Sequence, residues 1–287
     1  MLCRILAAAA LFAAGAALAQ EAPEGSRVEV NGMQMYYEVS GDGEPMIVLH
    51  GAYMNIPTMG EIIAKLADTH RVYALELQGH GRTPDIDRPI TYPNLAGDVA
   101  AFMEAAGIEK ADIFGYSMGA VTALRLAIDH PEKVDRLVFA SGAYDFEGWQ
   151  PAFREFIPQM KVEMFTAMPM AEEYKALAPD PNGFPALAEK LIALEKEPLA
   201  WGEEVAALEM PVLIISGDAD VATLEHNVEM LRLLGGGVMG DMGDPLPASR
   251  LAILPATSHT ALLGQVDLLM AFIGPFLAGD KPKGWFD

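Results

Sequence analysis

Gly115-Tyr116-Ser117-Met118-Gly119 lies between two different sequence patterns. Upstream, Ala111-Asp112-Ile113-Phe114 can extend as a short buried strand, and downstream residues 121–128 are rich in Ala and Leu and favour helix. A serine on such a strand-to-helix turn has its hydroxyl lifted clear of the sheet. Glycines on either side let the chain bend there without side-chain clashes. In this setting G-x-S-x-G reads as a nucleophile elbow, with Ser117 as the nucleophile.

Working outward, strands and helices alternate. Residues 28–30 and 33–39 alternate around Asn31-Gly32, a type I′ hairpin signal. Residues 46–49 form a strand ending at His50-Gly51, and residues 56–67 a helix with Pro57 in its first turn. Strand 71–77 closes at Gln78-Gly79-His80-Gly81, and helix 94–106 stops at Gly107. After the elbow come strands 134–140, 211–216 and 251–254. This order predicts an α/β architecture, a mostly parallel eight-stranded sheet with helices on both faces.

One stretch breaks the alternation. Residues 144–209 carry no strand signal, only short helical pieces broken by seven prolines from Pro151 to Pro198. They read as an inserted helical cap, which divides the core into residues 20–143 and 210–287. Met160, Met164 and Met168 are spaced by four, so one helix face carries a methionine stripe. The stripe either packs the cap onto the core or lines an apolar cleft with aromatic residues such as Trp149. The glycine-rich stretch 235–248 lacks the Gly-Lys-Ser/Thr ending of a phosphate loop and gives no support to nucleotide binding.

Residues 1–19 read as an export signal, cut before Gln20: Arg4, an apolar Ala-rich run, then Ala17-Leu18-Ala19. The alternative is an N-terminal membrane anchor, but the run is short for a span and has no charged flank after it. An exported protein, periplasmic or secreted and without integral membrane association after cleavage, is the expectation. Cys3, the only cysteine, falls inside this segment, which excludes thiol nucleophiles and Cys-ligated zinc from residues 20–287. The formal charge of −21 argues against nucleic acid and anionic membranes as partners.

Ser117 needs a base held by a carboxylate. His259 follows the last strand, on the loop at its C-terminal end, where open α/β sheets gather their sites. His50 and His80 sit in glycine turns and read as structural, and His70, His130 and His226 as surface residues. For the acid, Asp220 follows strand 211–216, with Asp218 as second choice and Asp145 as third. Backbone N–H groups of Met118, at the helix start, and of Ala52, after His50-Gly51, are the candidate oxyanion donors. Tyr53 and Met54 are then pocket-wall or core residues, and Trp149, Met160 and Met164 candidate substrate contacts.

Leu49-His50-Gly51, Gly79-His80-Gly81, the elbow at Ser117, Gly217 with Asp220, and His259 resemble, in order, the motifs of the α/β-hydrolase superfamily, of the capped kind that includes esterases and C–C bond hydrolases. The resemblance implies a central elbow strand and a cap over the site. One departure is Glu76-Leu77-Gln78-Gly79-His80-Gly81-Arg82-Thr83, where such proteins often have Asp-x-Arg-Gly-His-Gly-x-Ser. Serine rather than aspartate at the elbow weighs against the haloalkane dehalogenase and epoxide hydrolase relatives. The expectation is a serine hydrolase without cofactor or metal, acting on a small-molecule carboxylic ester through an acyl-enzyme. Lactone or C–C bond hydrolysis by the same residues, and a non-catalytic ligand-binding protein, are the alternatives. Oligomeric state is left open.

Overall fold

The computed structural model describes residues 25–242 and 246–281; the export-signal reading of residues 1–19 lies outside them. Eight strands, β1 (Ser26–Val30), β2 (Met33–Ser40), β3 (Glu44–Leu49), β4 (His70–Leu75), β5 (Ala111–Tyr116), β6 (Val134–Ala140), β7 (Val212–Ala219) and β8 (Arg250–Ser258), form one sheet. Their order is β1-β2-β4-β3-β5-β6-β7-β8. β1 with β2 and β2 with β4 are antiparallel, and every pairing from β4 to β8 is parallel. Asn31 (φ 47°) and Gly32 (φ 86°) both take the left-handed conformation that a type I′ hairpin requires.

Ten α-helices accompany the strands among the described residues: α1 (Gly60–Leu66), α2 (Tyr92–Ala105), α3 (Met118–Asp129), α4 (Pro151–Phe156), α5 (Val162–Thr166), α6 (Pro169–Leu177), α7 (Phe184–Glu195), α8 (Gly202–Ala206), α9 (Leu224–Leu233) and α10 (Val266–Leu277). The central strands feed two cores with a period of two. Ile47, Leu49, Ile113, Leu137 and Phe139 pack with the buried faces of α2 and α3. Met46, Val48, Phe114, Val138 and Ala140 point the other way and pack with α1 and α10. Both faces of β5 are therefore covered, which is why its sequence reads as a continuous buried run.

Some boundaries differ from the sequence expectation for local reasons. The helix expected over residues 56–67 opens as a 3₁₀ turn, Pro57–Met59, because Asn55 Oδ1 accepts from the Thr58 N–H at 3.1 Å and holds the entry tight. α2 starts two residues earlier than expected, capped by the Thr91 side chain accepting from the Asn94 N–H. β8 runs on through Pro255; it is the outer strand, where a missing N–H costs little. Between β6 and β7 the chain runs through α4 to α8 without a strand. Two isolated bridges, Asp145 with Ala200 and Trp149 with Ala222, tie this segment to itself and to the loop after β7.

The methionine stripe does not form. Met160 follows a 3₁₀ turn and is extended (ψ 134°), α5 spans only Val162–Thr166, and Met168 is extended ahead of Pro169. Proline disfavours helical geometry in the residue before it, which takes Met168 out of α5 ahead of Pro169, while Met160 lies beyond the preceding 3₁₀ turn, so the three methionines share no helix face.

Candidate active site

β5 ends at Tyr116 and α3 begins at Met118, so Ser117 alone makes the turn, at φ 55° and ψ −121°. Its N–H donates to the Ala140 carbonyl at 2.9 Å, and its carbonyl accepts from the Ala120 and Val121 N–H groups. This conformation is unfavourable for a residue with a side chain, by about 1–3 kcal/mol. The glycines serve close approach rather than unusual dihedrals. A Cβ on Gly115 would stand 2.3 Å from the Gly119 carbonyl oxygen, and one on Gly119 would stand 2.3 Å from that of Leu49.

His259, just past β8, brings Nε2 to 3.0 Å from Ser117 Oγ and Nδ1 to 2.7 Å from Asp220 Oδ1. Asp220 Oδ1 also accepts from the Val221 N–H (2.7 Å). Oδ2 accepts from the hydroxyls of Ser141 (2.6 Å) and Ser216 (3.1 Å) and from the Gly217 N–H (3.2 Å). Burial alone would raise this carboxyl, but the hydrogen bond and charge of His259, with the other donors, bring it down to about 2. Asp218 is exposed and turns instead to the Thr257 N–H, clipping β8 to β7. Asp145 caps the 3₁₀ turn at Phe146–Gly148. Of the three candidate acids, only Asp220 lies against His259.

The loop after β3 brings Ala52 to the same cavity as Ser117 and Met118. Tyr53, at φ 62°, gives its N–H to His80 Nε2 (3.2 Å), and Met54 gives its own to the Gly51 carbonyl (3.2 Å). His80 holds the loop because its Nδ1 donates to the Gln78 carbonyl, leaving Nε2 as an acceptor. His50 is wired the same way, between the Gly51 carbonyl and the Leu77 N–H. Both rings are buried and neutral. Burial lowers His50 to about 3, with His80 adding to the effect, and lowers His80 to about 4. The Met118 N–H, at the first turn of α3, has no partner within the helix.

Where the usual motif is altered, Glu76 is fully buried and its carboxylate pairs with Arg82 Nη1 at 2.7 Å. Glu76 and Arg82 thus form a structural ion pair under the Gly81 turn. Two histidines expected at the surface are inside. His226 (5% exposed) stacks on Tyr144 and accepts from its N–H, and His70 (8%) lies 3.6 Å from Asp112. Each meets a polar partner from a distant part of the chain, a signal with no local sequence pattern.

A cavity of about 480 Å³ opens over Ser117 and His259. Of the residues named from the sequence, Ala52, Tyr53, Met54, Met118, Trp149 and Met160 line it; Met164 does not, being 40% exposed on α5. Met170, Phe153, Phe165, Tyr92 and the carboxylates Glu173 and Glu195 line it as well, and the sequence reading did not single them out. Glu195 ends α7, and burial pushes its carboxyl up to about 7, against a smaller lowering by His259. Tyr116, inside the elbow itself, donates its hydroxyl to the His259 carbonyl at 2.8 Å and packs against the imidazole. Among the described residues no group of His, Cys, Asp and Glu is arranged to hold a metal ion, and no helix is long and apolar enough to cross a membrane.

A family model for the alpha/beta hydrolase fold matches residues 44–163. The pimeloyl-[acyl-carrier protein] methyl ester esterase of Aeromonas hydrophila is 25% identical over 271 residues, covering 84% of this chain and 100% of that protein. The dihydrolipoyllysine-residue acetyltransferase component of the acetoin cleaving system of Cupriavidus necator is 36% identical over 107 residues, 37% of this chain and 29% of that protein. The chain spans less than half the length of the first curated relatives it matches. Among solved structures, the enol-lactonase from Burkholderia xenovorans LB400 superposes with a TM-score of 0.67 at 20% identity, covering 88% of this chain and 99% of that one. The strand order around β5, the strained serine at its end and the family match agree: the chain has the α/β-hydrolase fold, and residues 44–163 match that family.

Proposed function

We propose that the protein is a serine hydrolase that cleaves carboxylic esters. The observation that carries this reading is the line of hydrogen bonds from Asp220 through His259 to Ser117, 2.7 and 3.0 Å long, ending in an apolar cavity. In the proposed sequence Ser117 Oγ bonds to the ester carbonyl carbon while His259 Nε2 takes the hydroxyl proton. The Ala52 and Met118 N–H groups receive the oxyanion; each such donor is worth roughly 3–4 kcal/mol. Collapse breaks the bond to the alcohol, which leaves with the proton from His259. Water then attacks the acyl-enzyme, giving a proton to His259 and releasing the acid and Ser117.

The methyl ester esterase of Aeromonas hydrophila, matched over its whole length, supports an ester over other carbonyl substrates. In this reading residues 144–209 act as a cap that supplies the cavity wall opposite Ser117. Export is part of the proposal, resting on the 1–19 pattern, and N-terminal sequencing of the mature protein should begin at Gln20.

Labelling with a fluorophosphonate probe tests the nucleophile. Wild type should label and Ser117→Ala should not; equal labelling of both, or none of wild type, removes the assignment. A panel of acyl esters, lactones and 1,5-diketone-type C–C substrates, with Ser117→Ala as blank, tests the ester. Faster turnover of either other class would replace it.

A further inference from the structure

The cavity over Ser117 is unusual in its charges. Two carboxylates, Glu173 and Glu195, line it, and no lysine or arginine does. Glu195 is the last residue of α7, whose final turn contains no basic side chain. Carbonyls at a helix C-terminus carry partial negative charge, so the helix opposes this carboxylate and favours a cation beside it. Among the described residues Glu195 makes no hydrogen bond or ion pair, although its charge reaches Tyr53, Tyr92 and His259. The neighbouring cations turn elsewhere. Lys190, on the same helix, pairs with Asp85 at 2.7 Å, and Lys196, the next residue, is exposed.

The walls around this carboxylate suit a cation too. Tyr53 stacks on Phe165 with centroids 4.7 Å apart, Trp149 meets Phe153 edge to face at 5.8 Å, and Tyr92 lines the same space. Aromatic faces attract alkylated ammonium groups, most strongly where water is excluded. Glu195 is half-buried, and a partly desolvated carboxylate without a partner carries a cost that a cation entering with the substrate removes.

We propose that the cavity selects esters carrying a cationic, alkylated nitrogen, with Glu195 as the counter-charge and the tyrosine, tryptophan and phenylalanine rings as the walls around it. The proposal rests on the serine hydrolase reading and names its substrate class. Without a ligand, burial holds the Glu195 carboxyl at about 7, and an ammonium group beside it keeps it ionised. Glu173, at the exposed side of the cavity, adds attraction at the entrance and repels anionic esters.

The test compares a cation with its uncharged isostere in two arms. In the kinetic arm, butyrylcholine and 3,3-dimethylbutyl butyrate are hydrolysed at about pH 8.5, followed by acid release. Wild type should favour the choline ester by about tenfold or more in kcat/KM. Glu195→Gln should bring the ratio close to one, while the exposed Glu203→Gln keeps it. A wild-type ratio near one, or a ratio that survives Glu195→Gln, overturns the proposal. In the binding arm, choline and 3,3-dimethylbutanol are titrated calorimetrically into Ser117→Ala protein, with and without Glu195→Gln. Tighter binding of choline that depends on Glu195, together with a wild type that hydrolyses neither ester in the kinetic arm, keeps the cation site and removes the hydrolase reading. Hydrolysis without preference does the reverse. Equal binding of the two alcohols overturns the proposal whatever the kinetics.

Discussion

Replacing Asp220 by asparagine separates two ways in which the carboxylate can serve His259. Oδ1 accepts from His259 Nδ1 and the Val221 N–H, both at 2.7 Å, while Oδ2 accepts from two serine hydroxyls and, at 3.2 Å, the Gly217 N–H. Asparagine can keep its oxygen on one side only. With oxygen at the Oδ1 position, the hydroxyls of Ser141 and Ser216 rotate to accept, and only the Gly217 N–H is left facing a donor. The reverse orientation sets the amide NH₂ against the Val221 N–H and moves the His259 proton to Nε2, where it cannot accept from Ser117. The fixed Val221 donor, closer than that of Gly217, disfavours this second orientation by roughly 1–3 kcal/mol, so the productive tautomer survives. What disappears is the negative charge beside the imidazolium formed during the reaction. An opposite charge at this range is worth about 1–3 pKa units, or about 1.4–4 kcal/mol. On 4-nitrophenyl butyrate, kcat/KM should therefore fall about 10- to 10³-fold, short of the roughly 10⁴-fold loss that goes with the wrong tautomer. Asp218→Asn, measured alongside, should stay within about threefold. A loss of 10⁴ or more for Asp220→Asn would refute the orientation argument, and a larger loss for Asp218→Asn would move the acid to that residue.

Stability follows from the same residues. Asp220 titrates at about 2 against an ordinary 3.8, so its carboxylate stabilises the fold by about 2 kcal/mol above pH 4 and loses this as pH falls through 2. Denaturant titrations of Asp220→Asn over that window should lack this increment; an unchanged acid profile counts against it. Ser117→Gly should abolish activity yet stabilise the protein by about 1 kcal/mol, since glycine takes the φ 55° turn without strain; lower stability in urea unfolding would show that the turn is relaxed. Gly119→Ala should cost about 2–4 kcal/mol, its Cβ meeting the carbonyls of Leu49 and His50 at 2.3 and 2.6 Å, and a wild-type Tm would contradict that contact. His80, lowered to about 4 by burial, accepts from Tyr53 only when neutral. Its unfolded form takes up a proton near pH 6.5, so stability should decline from there downward, and His80→Gln should flatten the decline. A decline of the same steepness in that variant would assign it to other groups.

The fold was legible because its signals are local. Short apolar runs mark β3, β5 and β6 as strands covered on both faces, Asn31-Gly32 gives the hairpin, and the elbow motif carries the glycines its close approaches demand. Ser117, His259 and Asp220 were legible for a related reason: each follows a strand of the parallel sheet, and parallel strands deliver such residues to one edge. The choice between Asp220 and Asp218 needed the turn after β7 and a contact from the distant Ser141. It depends on the Ser141 and Ser216 hydroxyls and the Gly217 N–H, which gather on one carboxylate and leave the other at the surface.

Residues 144–209 were legible only as helical pieces, and spacing misled there. A four-residue interval means a shared face only along an unbroken helix, and between Met160 and Met168, a run flanked by Pro158 and Pro169, the chain forms only the short α5 with Met160, Lys161 and Met168 non-helical. Glu195 was hidden for a further reason. In the sequence it sits between Leu194 and Lys196 and reads as one more solvated charge on an acidic protein. Its character comes from where α7 stops: one residue later, and Lys196 would be the group at the helix end. A lysine there would neutralise the helix terminus and fill the cation's place, closing the cavity to the ligand class that a glutamate admits. Glu195→Lys should thus convert any preference for cationic esters into a preference for anionic ones, and persistence of the cationic preference would mean that the aromatic walls alone set it.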